Sequence, residues 1–277
     1  MSSQPSPNPH PPSSNATATS SLASEFVETL EYRRFVEFCD ACRRYRYIGL
    51  CYGSPGIGKT LSAVRYSRSE KIVPFDRWSD RTLDGLPLDT AFYTPSVVNT
   101  PSMVRSDIKR ACERIDGIAK DPIRREAREV LDQIRLRDDA ARKTFCSTPS
   151  REWQDPPALK PTYLETMDLY AAREKAIGPV TTLIVIDEAD RLRMTSLEQV
   201  RDLFDEGAVG LVLIGMPGIE KRMARYPQFY SRIGFVHEFR PLATAEMREL
   251  LESRWRRGVS AYPKPVFVLM RSLRSCG

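Results

Sequence analysis

The eight residues from Gly53 to Thr60, GSPGIGKT, constrain the fold of this chain more than any other stretch. They fit the pattern G-x-x-x-x-G-K-[ST], and they stand between an apolar segment at 48–53 and a helical pattern at Thr60–Arg68. A strand, a glycine-rich turn and a helix in that order direct backbone N–H groups toward an anion at the helix N-terminus. The stretch therefore predicts a loop that binds the phosphates of a nucleotide.

Each residue type in this loop suits one part of a triphosphate. Glycine lets the backbone turn closely around the phosphates. Lys59 brings a positive charge to the β- and γ-phosphates, and the Thr60 hydroxyl can bind Mg²⁺. The predicted nucleotide-binding residues of the loop are Gly53, Ser54, Pro55, Gly56, Ile57, Gly58, Lys59 and Thr60.

A second motif, LIVIDEADRL at 183–192, completes the predicted site. Its apolar run ends in Asp187 and Glu188, and ligands of open α/β sheets bind at the carboxyl ends of the strands. Asp187 suits coordination of Mg²⁺, directly or through water, and Glu188 is placed to polarise the water that attacks the γ-phosphate. Together with Lys59, these acids predict that the chain binds and hydrolyses ATP.

Short apolar runs recur along the chain with helical patterns between them. They are continuous rather than alternating, which is typical of strands buried on both faces of a parallel sheet. The predicted strands are 48–53, 90–96, 181–189, 210–216 and 235–242. The predicted helices between them include Thr60–Arg68, Met103–Ile115 and Leu197–Glu206. The alternation predicts an α/β fold with a five-stranded parallel sheet flanked by helices.

Two further places bear on hydrolysis. ATPases of this type carry a polar residue after the fourth strand to orient the attacking water, and here that place falls at Gly215, Met216 and Pro217. Methionine cannot donate a hydrogen bond, so a backbone group or a neighbour serves, or hydrolysis is slow. An arginine just before the fifth strand is placed to reach the γ-phosphate of a neighbouring subunit. Arg232 is the candidate and Arg225 the second, with a solvated surface arginine as the alternative interpretation.

Composition indicates one main globular domain with a small appendage. The chain has 277 residues, of which 41% are hydrophobic, enough to bury a core. No apolar run reaches the roughly 18 residues of a membrane span, and no secretory signal pattern is present, so a cytoplasmic protein is expected. The net charge of +6 is compatible with nucleic-acid binding without deciding it.

The six cysteines follow no repeated spacing, so reduced thiols are expected rather than a disulfide framework. Cys39 and Cys42 do form a C-x-x-C. Because they lie inside a helical pattern with no second pair, helix packing is expected there rather than a metal or redox site.

Changes in composition divide the chain. Residues 1–24 are nearly all Ser, Pro, Asn, Thr and Ala without an aromatic residue, which predicts a disordered tail. Residues 25–242 hold the predicted nucleotide-binding domain. Within it, the charged and proline-punctuated interval at about 121–177 predicts helices that leave the core.

The letters DEAD at 187–190 invite a helicase interpretation. That family needs a second motor domain with its own arginine motifs, and too few residues follow Asp187 to form one. We therefore do not expect a helicase.

Several motifs together resemble a known family. Beside the phosphate loop and IVIDEADRL, the chain carries VRDLFD at 200–205 and LVLIGMPGIEKRMARYPQFYSRIGFVHEF at 211–239. With these motifs the core from about Glu31 to Leu242 resembles the AAA+ ATPases of DNA transposition, the group that includes the Mu phage B protein and the TnsC, TniB and IstB proteins. The combination of IDEADRL, LIG before a short helix, and R-x-G-F before the last strand is more specific than the phosphate loop alone.

The resemblance implies a homo-oligomer that assembles with ATP into a ring or filament around double-stranded DNA. It also implies a transposase partner, to which the DNA is presented and whose contacts stimulate hydrolysis. The loop at 97–105 and the helix after it match the DNA-facing region, which makes Arg105, Lys109 and Arg110 candidate DNA contacts. An ordinary charged helix face is an equal alternative for these residues. Such phosphate contacts would be independent of sequence and sensitive to salt.

The chain departs from the family pattern at Met216 and again at 243–277. The latter residues resemble only the first helix of a small helical lid domain, so a truncated lid is expected and hydrolysis is less certain than nucleotide binding. Two other functions stay open: an ATPase switch of the signalling type that acts on protein partners without DNA, and a nucleotide-binding scaffold with little turnover.

Overall fold

A five-stranded sheet organises the molecule. The computed structural model describes residues 26–72, 88–146 and 159–260. The strands are β1 (Ile48–Tyr52), β2 (Thr90–Tyr93), β3 (Leu183–Ile186), β4 (Gly210–Gly215) and β5 (Ile233–Glu238). They pair in the order β2-β3-β4-β1-β5, and every pair is parallel. The predicted α/β fold with a parallel sheet is confirmed.

Helices cover both faces of the sheet, and two buried clusters lie beneath them. The helices are α1 (Leu30–Tyr45), α2 (Lys59–Ser67), α3 (Ser69–Ile72), α4 (Pro101–Cys146), α5 (Tyr163–Ile177), α6 (Met194–Glu206), α7 (Ile219–Ala224), α8 (Pro227–Tyr230) and α9 (Thr244–Ser260). In β3, Ile184 and Ile186 join the cluster with α4 and α6, while Leu183 and Val185 join the cluster with α1. Because side chains alternate along a strand, burial on both faces produces the continuous apolar run seen in the sequence.

β5 differs from the predicted fifth strand. It begins at Ile233 rather than at residue 235, and its residues alternate between half-buried and exposed positions. Phe235 and His237 face the aromatic residues of α1, whereas Val236 is exposed on the other face. The reason is its place at the edge of the sheet, where β1 is its neighbour and α1 covers one of its faces. An edge strand needs only one apolar face.

α4 does not end where the sequence pattern predicts. The helix passes Ile115 and Pro122 and continues to Cys146, a length of 46 residues or about 69 Å. α5 packs against its second half, and these two segments, residues 121–146 and 159–177, are called the arm below. Arg124 pairs with Glu174 at 3.0 Å, and Arg173 pairs with Glu126 at 2.9 Å. In residues 121–146 and 159–177, the described part of the predicted excursion, the chain forms two helices, of which the first continues from the core without a break.

Cys39 and Cys42 lie on the buried face of α1 as free thiols. Cys42 packs onto the backbone of β1, because a Cβ added at Gly49 would lie only 2.3 Å from its Sγ. Burial raises the pKa of the Cys42 thiol to about 12. The expected packing role of this C-x-x-C is confirmed.

Several predictions about domain organisation lie outside the described residues. These are the disordered tail at 1–24, the middle of the excursion at 147–158, and the part of the lid after residue 260. α9 is described, and its Glu246 accepts a hydrogen bond from the Leu30 N–H at 2.7 Å. Across the described ranges, no helix is both long enough and apolar enough to cross a membrane. The domain boundaries and the truncated lid stay predictions.

Candidate nucleotide-binding site

The phosphate loop joins the carboxyl end of β1 to α2 and depends on glycine in two ways. Gly58 caps α2 with a φ of 104°, a left-handed conformation that side chains disfavour. Gly53 instead is needed for space, because a Cβ there would lie 2.4 Å from the carbonyl oxygen of Phe239. Ser54, Pro55 and Gly56 form an exposed rim. The loop is thus packed at its base against the end of β5 and open at its rim.

Lys59 is the first residue of α2, and its side chain binds back to the start of the phosphate loop. Its side chain is buried, with 9% exposure, and Nζ donates to the carbonyl oxygens of Gly53 at 2.5 Å and Ser54 at 2.7 Å. An ammonium has three donors, so one remains for a further acceptor. The positive charge therefore lies inside the curve of the loop, at the same end of α2 as its free backbone N–H groups. Thr60, the next residue, is exposed.

The two acids follow β3 at the same edge of the sheet. Asp187 is buried, and its N–H donates to the Tyr93 carbonyl oxygen at 2.9 Å, while its Oδ1 accepts from the Glu188 N–H at 2.8 Å. β4 is the strand between β3 and β1, and because all are parallel, the acids and the phosphate loop share one edge. The phosphate loop with Lys59 and the pair Asp187 and Glu188 thus follow the carboxyl ends of strands in the same parallel sheet.

The pKa of the buried Cys51 thiol is affected by charges from both motifs of the site. Burial raises its pKa strongly, the nearby Lys59 charge lowers it and the Asp187 charge raises it. Both charges therefore lie close to the last residues of β1. Asp187 and Thr60 offer carboxylate and hydroxyl oxygens, the ligands that Mg²⁺ prefers. The chemistry of these donors fits the predicted magnesium site.

Asp190 is a site residue that the sequence interpretation missed. Its Oδ2 accepts the Met216 N–H at 2.7 Å, and the same oxygen would lie 2.7 Å from a Cβ added at Gly215. The carboxylate therefore occupies the end of β4, where a polar residue was expected and Met216 stands instead. Arg222 fixes this turn by donating to the Asp190 carbonyl oxygen at 2.9 Å and to that of Leu192. In the sequence, the available indication was that Asp190 is a third acidic residue close behind Asp187 and Glu188.

Arg232 does not lie near the phosphate loop of its own chain. Its carbonyl oxygen accepts from the Ile48 N–H at 3.1 Å, which places it at the amino end of β1, about 17 Å along the strand from Gly53. The guanidinium is paired with both carboxylate oxygens of Asp205, at 2.6 and 2.7 Å. This pairing lowers the pKa of Asp205. Arg225 is exposed at the end of α7.

The candidate DNA contacts lie on the first turns of α4, which begins at Pro101, two residues before the predicted helix start at Met103. Arg105 pairs with Glu206 of α6 at 2.7 Å, Arg110 with Asp107 at 3.4 Å and Lys109 with Glu113 at 3.9 Å. All three pairs are open to solvent. They follow β2, at the opposite edge of the sheet from β5.

A parallel sheet with a glycine-rich phosphate loop after β1 and an acidic pair after β3 defines a P-loop nucleotide-binding protein. A model of the AAA domain family matches residues 42–223, so the chain belongs to this family and is an ATP-binding protein of the AAA type. It is also 37% identical over 237 residues to a "Potential ATP-binding protein" of Staphylococcus aureus, across 83% of this chain and 73% of that protein.

Among solved structures, the chain is similar to the Aeropyrum pernix ORC1 protein in complex with DNA. The identity is 17% and the TM-score is 0.40, and the match covers 82% of this chain. This chain spans about half of that structure's chain, 48%. At this level the similarity says nothing about what this chain binds.

Proposed function

We propose that this protein hydrolyses ATP with Mg²⁺, assembles on double-stranded DNA in an ATP-dependent way, and regulates or targets a transposase. The observation that carries the ATP part is that the phosphate loop with its buried Lys59 ammonium and the pair Asp187 and Glu188 both follow the carboxyl ends of parallel strands. Lys59 would bind the β- and γ-phosphates, Thr60 and Asp187 would hold Mg²⁺, and Glu188 would take the proton of the attacking water.

The DNA part is supported by the basic side chains on the first turns of α4. Each is paired with an acid at the surface, and exposed pairs of this kind contribute little stability. A phosphate can therefore replace the acidic partner of Arg105 or Lys109 at small cost. The assignment of a transposase as partner rests on the motif resemblance alone, and a cytoplasmic location stays a prediction.

Replacing Arg105 and Lys109 together by Ala is expected to weaken DNA binding in the presence of ATP. Because each cation that neutralises a phosphate adds about one to the salt slope, the slope of log affinity against log salt should fall by about two. The measurement is fluorescence anisotropy of labelled duplexes of unrelated sequence in ATP and in ADP, between low and moderate salt. The matched control replaces the exposed Arg142 and Lys175 of the arm by Ala, which removes the same charge. Equal slopes in the two variants would place the DNA surface elsewhere.

Arg232→Ala is expected to lower turnover only in assembled protein. Arg232 lies at the amino end of β1, whereas the phosphate loop of its own chain follows the carboxyl end of that strand. Its guanidinium is therefore proposed to stabilise the γ-phosphate of a neighbouring subunit, by about 10³-fold. Turnover is measured at rising protein concentration, with Arg142→Ala, the same change at an exposed position of the arm, as the matched control. A loss that is already complete in dilute monomer would rule out this role and indicate a fold defect from the broken Asp205 pair.

A second function is favoured by the surface of the arm. Leu136 of α4 and Leu164 and Leu169 of α5 are exposed apolar side chains. These side chains lie on two packed helices and provide apolar surface that a protein partner can cover. If ATP turnover is indifferent to DNA, an ATPase switch with a protein partner becomes the better proposal. If the protein binds ATP without turnover, it is a scaffold.

A further inference from the structure

Four consecutive exposed side chains join α1 to β1 at the amino end of the sheet. Residues 44–47, with the sequence Arg-Tyr-Arg-Tyr, are all exposed. α1 ends at Tyr45, and Arg46 follows in a left-handed conformation with a φ of 53°, which turns the chain before β1 begins at Ile48. The exposed turn therefore lies at the opposite end of β1 from the phosphate loop.

The ring of Tyr47 lies directly on the backbone of β5. A Cβ added at Gly234 would lie 2.4 Å from the Cγ of Tyr47 and 2.7 Å from its Cβ, so only glycine leaves room for the tyrosine here. Tyr47 is nevertheless 47% exposed. The strand thus supports one side of the ring while the rest of it faces solvent. This contact accounts for the glycine of the R-x-G-F motif before the fifth strand.

Phe235, the last residue of the same motif, contacts both tyrosines. The centroid of its ring lies 5.9 Å from that of Tyr47, edge to face, and 6.0 Å from that of Tyr45. Tyr45 is 57% exposed, and the guanidinium of Arg44 lies 5.7 Å from the centre of its ring. A half-buried ring thus holds two exposed rings beside each other. The group is called the tyrosine platform below and consists of Arg44, Tyr45, Arg46, Tyr47, Gly234 and Phe235.

The two arginines of the tyrosine platform keep their charges available. Arg43, one residue earlier, pairs with Asp89 at 3.2 Å, whereas within the described ranges neither Arg44 nor Arg46 forms an ion pair. The contact of Arg44 with the Tyr45 ring is exposed, and exposed cation–π contacts are weak, so the guanidinium can turn to another partner. The platform therefore offers two positive charges beside two aromatic rings.

Unpaired nucleotides are complementary to both features of the platform. Their phosphates pair with arginine, and their bases stack on aromatic side chains irrespective of sequence. In a duplex the bases are stacked on one another, so a tyrosine ring finds no free base face. An acidic peptide would satisfy the arginines but would leave the open rings uncovered. Single-stranded nucleic acid is the ligand that uses the charges and the rings together.

We propose that the tyrosine platform binds single-stranded nucleic acid, with an unpaired base stacked on Tyr47 and the adjoining phosphates held by Arg44 and Arg46. The site is separate from the proposed duplex-binding surface, because α4 follows β2 at the opposite edge of the sheet from β5. It is also separate from the phosphate loop, so binding should not require ATP. DNA and RNA strands share the phosphates and the base faces that this site recognises.

Replacing Tyr45 and Tyr47 together by Leu is expected to weaken the binding of an oligothymidylate of about 12 nucleotides by at least about fivefold. Leucine keeps an apolar side chain over Gly234 but has no ring on which a base can stack. Replacing both tyrosines by Phe should keep the affinity within about twofold. The measurement is fluorescence anisotropy of the labelled strand at low salt without nucleotide. The matched control is Tyr163→Leu, because Tyr163 of the arm also has an arginine over its ring.

Two further variants test the charges and the support of the ring separately. Replacing Arg44 and Arg46 together by Ala should lower the slope of log affinity against log salt by about 1.4, because each phosphate contact of a single strand contributes about 0.7. Gly234→Ala removes neither a ring nor a charge, but its methyl group would displace Tyr47. It should therefore weaken binding about as much as Tyr47→Leu alone. Thermal unfolding and ATP binding of each variant show whether the fold is intact.

The outcomes separate this site from other kinds of surface. If neither the oligothymidylate nor a uridine strand of the same length binds the natural protein at about 100 µM, the proposal is overturned. Equal affinity in the natural protein and the leucine variant would overturn it too, since stacking would then play no part. So would an equal loss for a duplex of the same length. If one of the two strands binds more tightly and leucine weakens it, the proposal holds and that strand identifies the natural ligand as DNA or RNA.

The result does not depend on the proposed function. The variant with Ala at positions 105 and 109 should bind the oligothymidylate as the natural protein does, even where it has lost duplex binding. If that variant lost single-strand binding and the leucine variant kept it, the strand would bind on α4, and the platform would be ruled out.

Discussion

Lys59→Ala is expected to abolish ATP binding at micromolar nucleotide. The ammonium is buried inside the loop, where it donates to the Gly53 carbonyl oxygen at 2.5 Å and to that of Ser54 at 2.7 Å. Charge-assisted hydrogen bonds to phosphate contribute about 1.5–3 kcal/mol each, so the loss of Lys59 should weaken binding by at least about 100-fold. Binding is measured by titration of a fluorescent ATP analogue.

The control for this variant is Lys71→Ala, the same chemical change at an exposed position of α3. It should bind ATP as the natural protein does. Thermal unfolding of both variants without nucleotide shows whether the loop itself has been disturbed. If Lys59→Ala bound ATP within about threefold of the natural protein, the phosphate site would have to lie elsewhere.

Glu188→Gln is expected to leave ATP bound and unhydrolysed. The glutamine has the same shape but cannot take a proton, so turnover should fall by about 10²–10⁴-fold while ATP affinity changes little. The protein should then accumulate in its ATP state and remain on DNA after the natural protein has released it. Single-turnover hydrolysis and DNA retention are the two measurements.

A suitable control for the loss of a carboxylate is Glu198→Gln, which affects an ion pair with Arg201 on α6 and no residue of the site. Its turnover should match that of the natural protein. An unaltered rate in Glu188→Gln would show that the assigned base is wrong. Asp190, which lies at the end of β4, would then be the next carboxylate to replace.

The parts of the site that could be predicted from sequence are those built from neighbouring residues. The phosphate loop needs a glycine at position 58 because the backbone there has a left-handed φ, and Lys59 follows it directly. The eight-residue motif from Gly53 to Thr60 therefore predicts the loop without any distant residue. The strand that ends in Asp187 and Glu188 is likewise a local pattern, and parallel pairing then places both motifs at one edge.

The parts that could not be predicted depend on residues far apart in the chain. Arg191 and Pro95 are 96 residues apart, and Met216 and Asp190 are 26 apart, so no local pattern indicates that they meet. The alternating exposure of β5 follows from its place at the sheet edge, which strand order decides. α4 continues through Pro122, although proline normally indicates a helix end. The sequence pattern therefore did not predict that one helix joins the core to the arm.

The decisive measurement is steady-state ATP hydrolysis with and without non-specific double-stranded DNA, at low and moderate salt, with Lys59→Ala as the blank. We expect turnover that DNA stimulates and that loses this stimulation as salt rises, because phosphate contacts weaken with salt. Turnover that is the same with and without DNA at both salt concentrations would contradict a DNA-dependent ATPase and favour a switch with a protein partner.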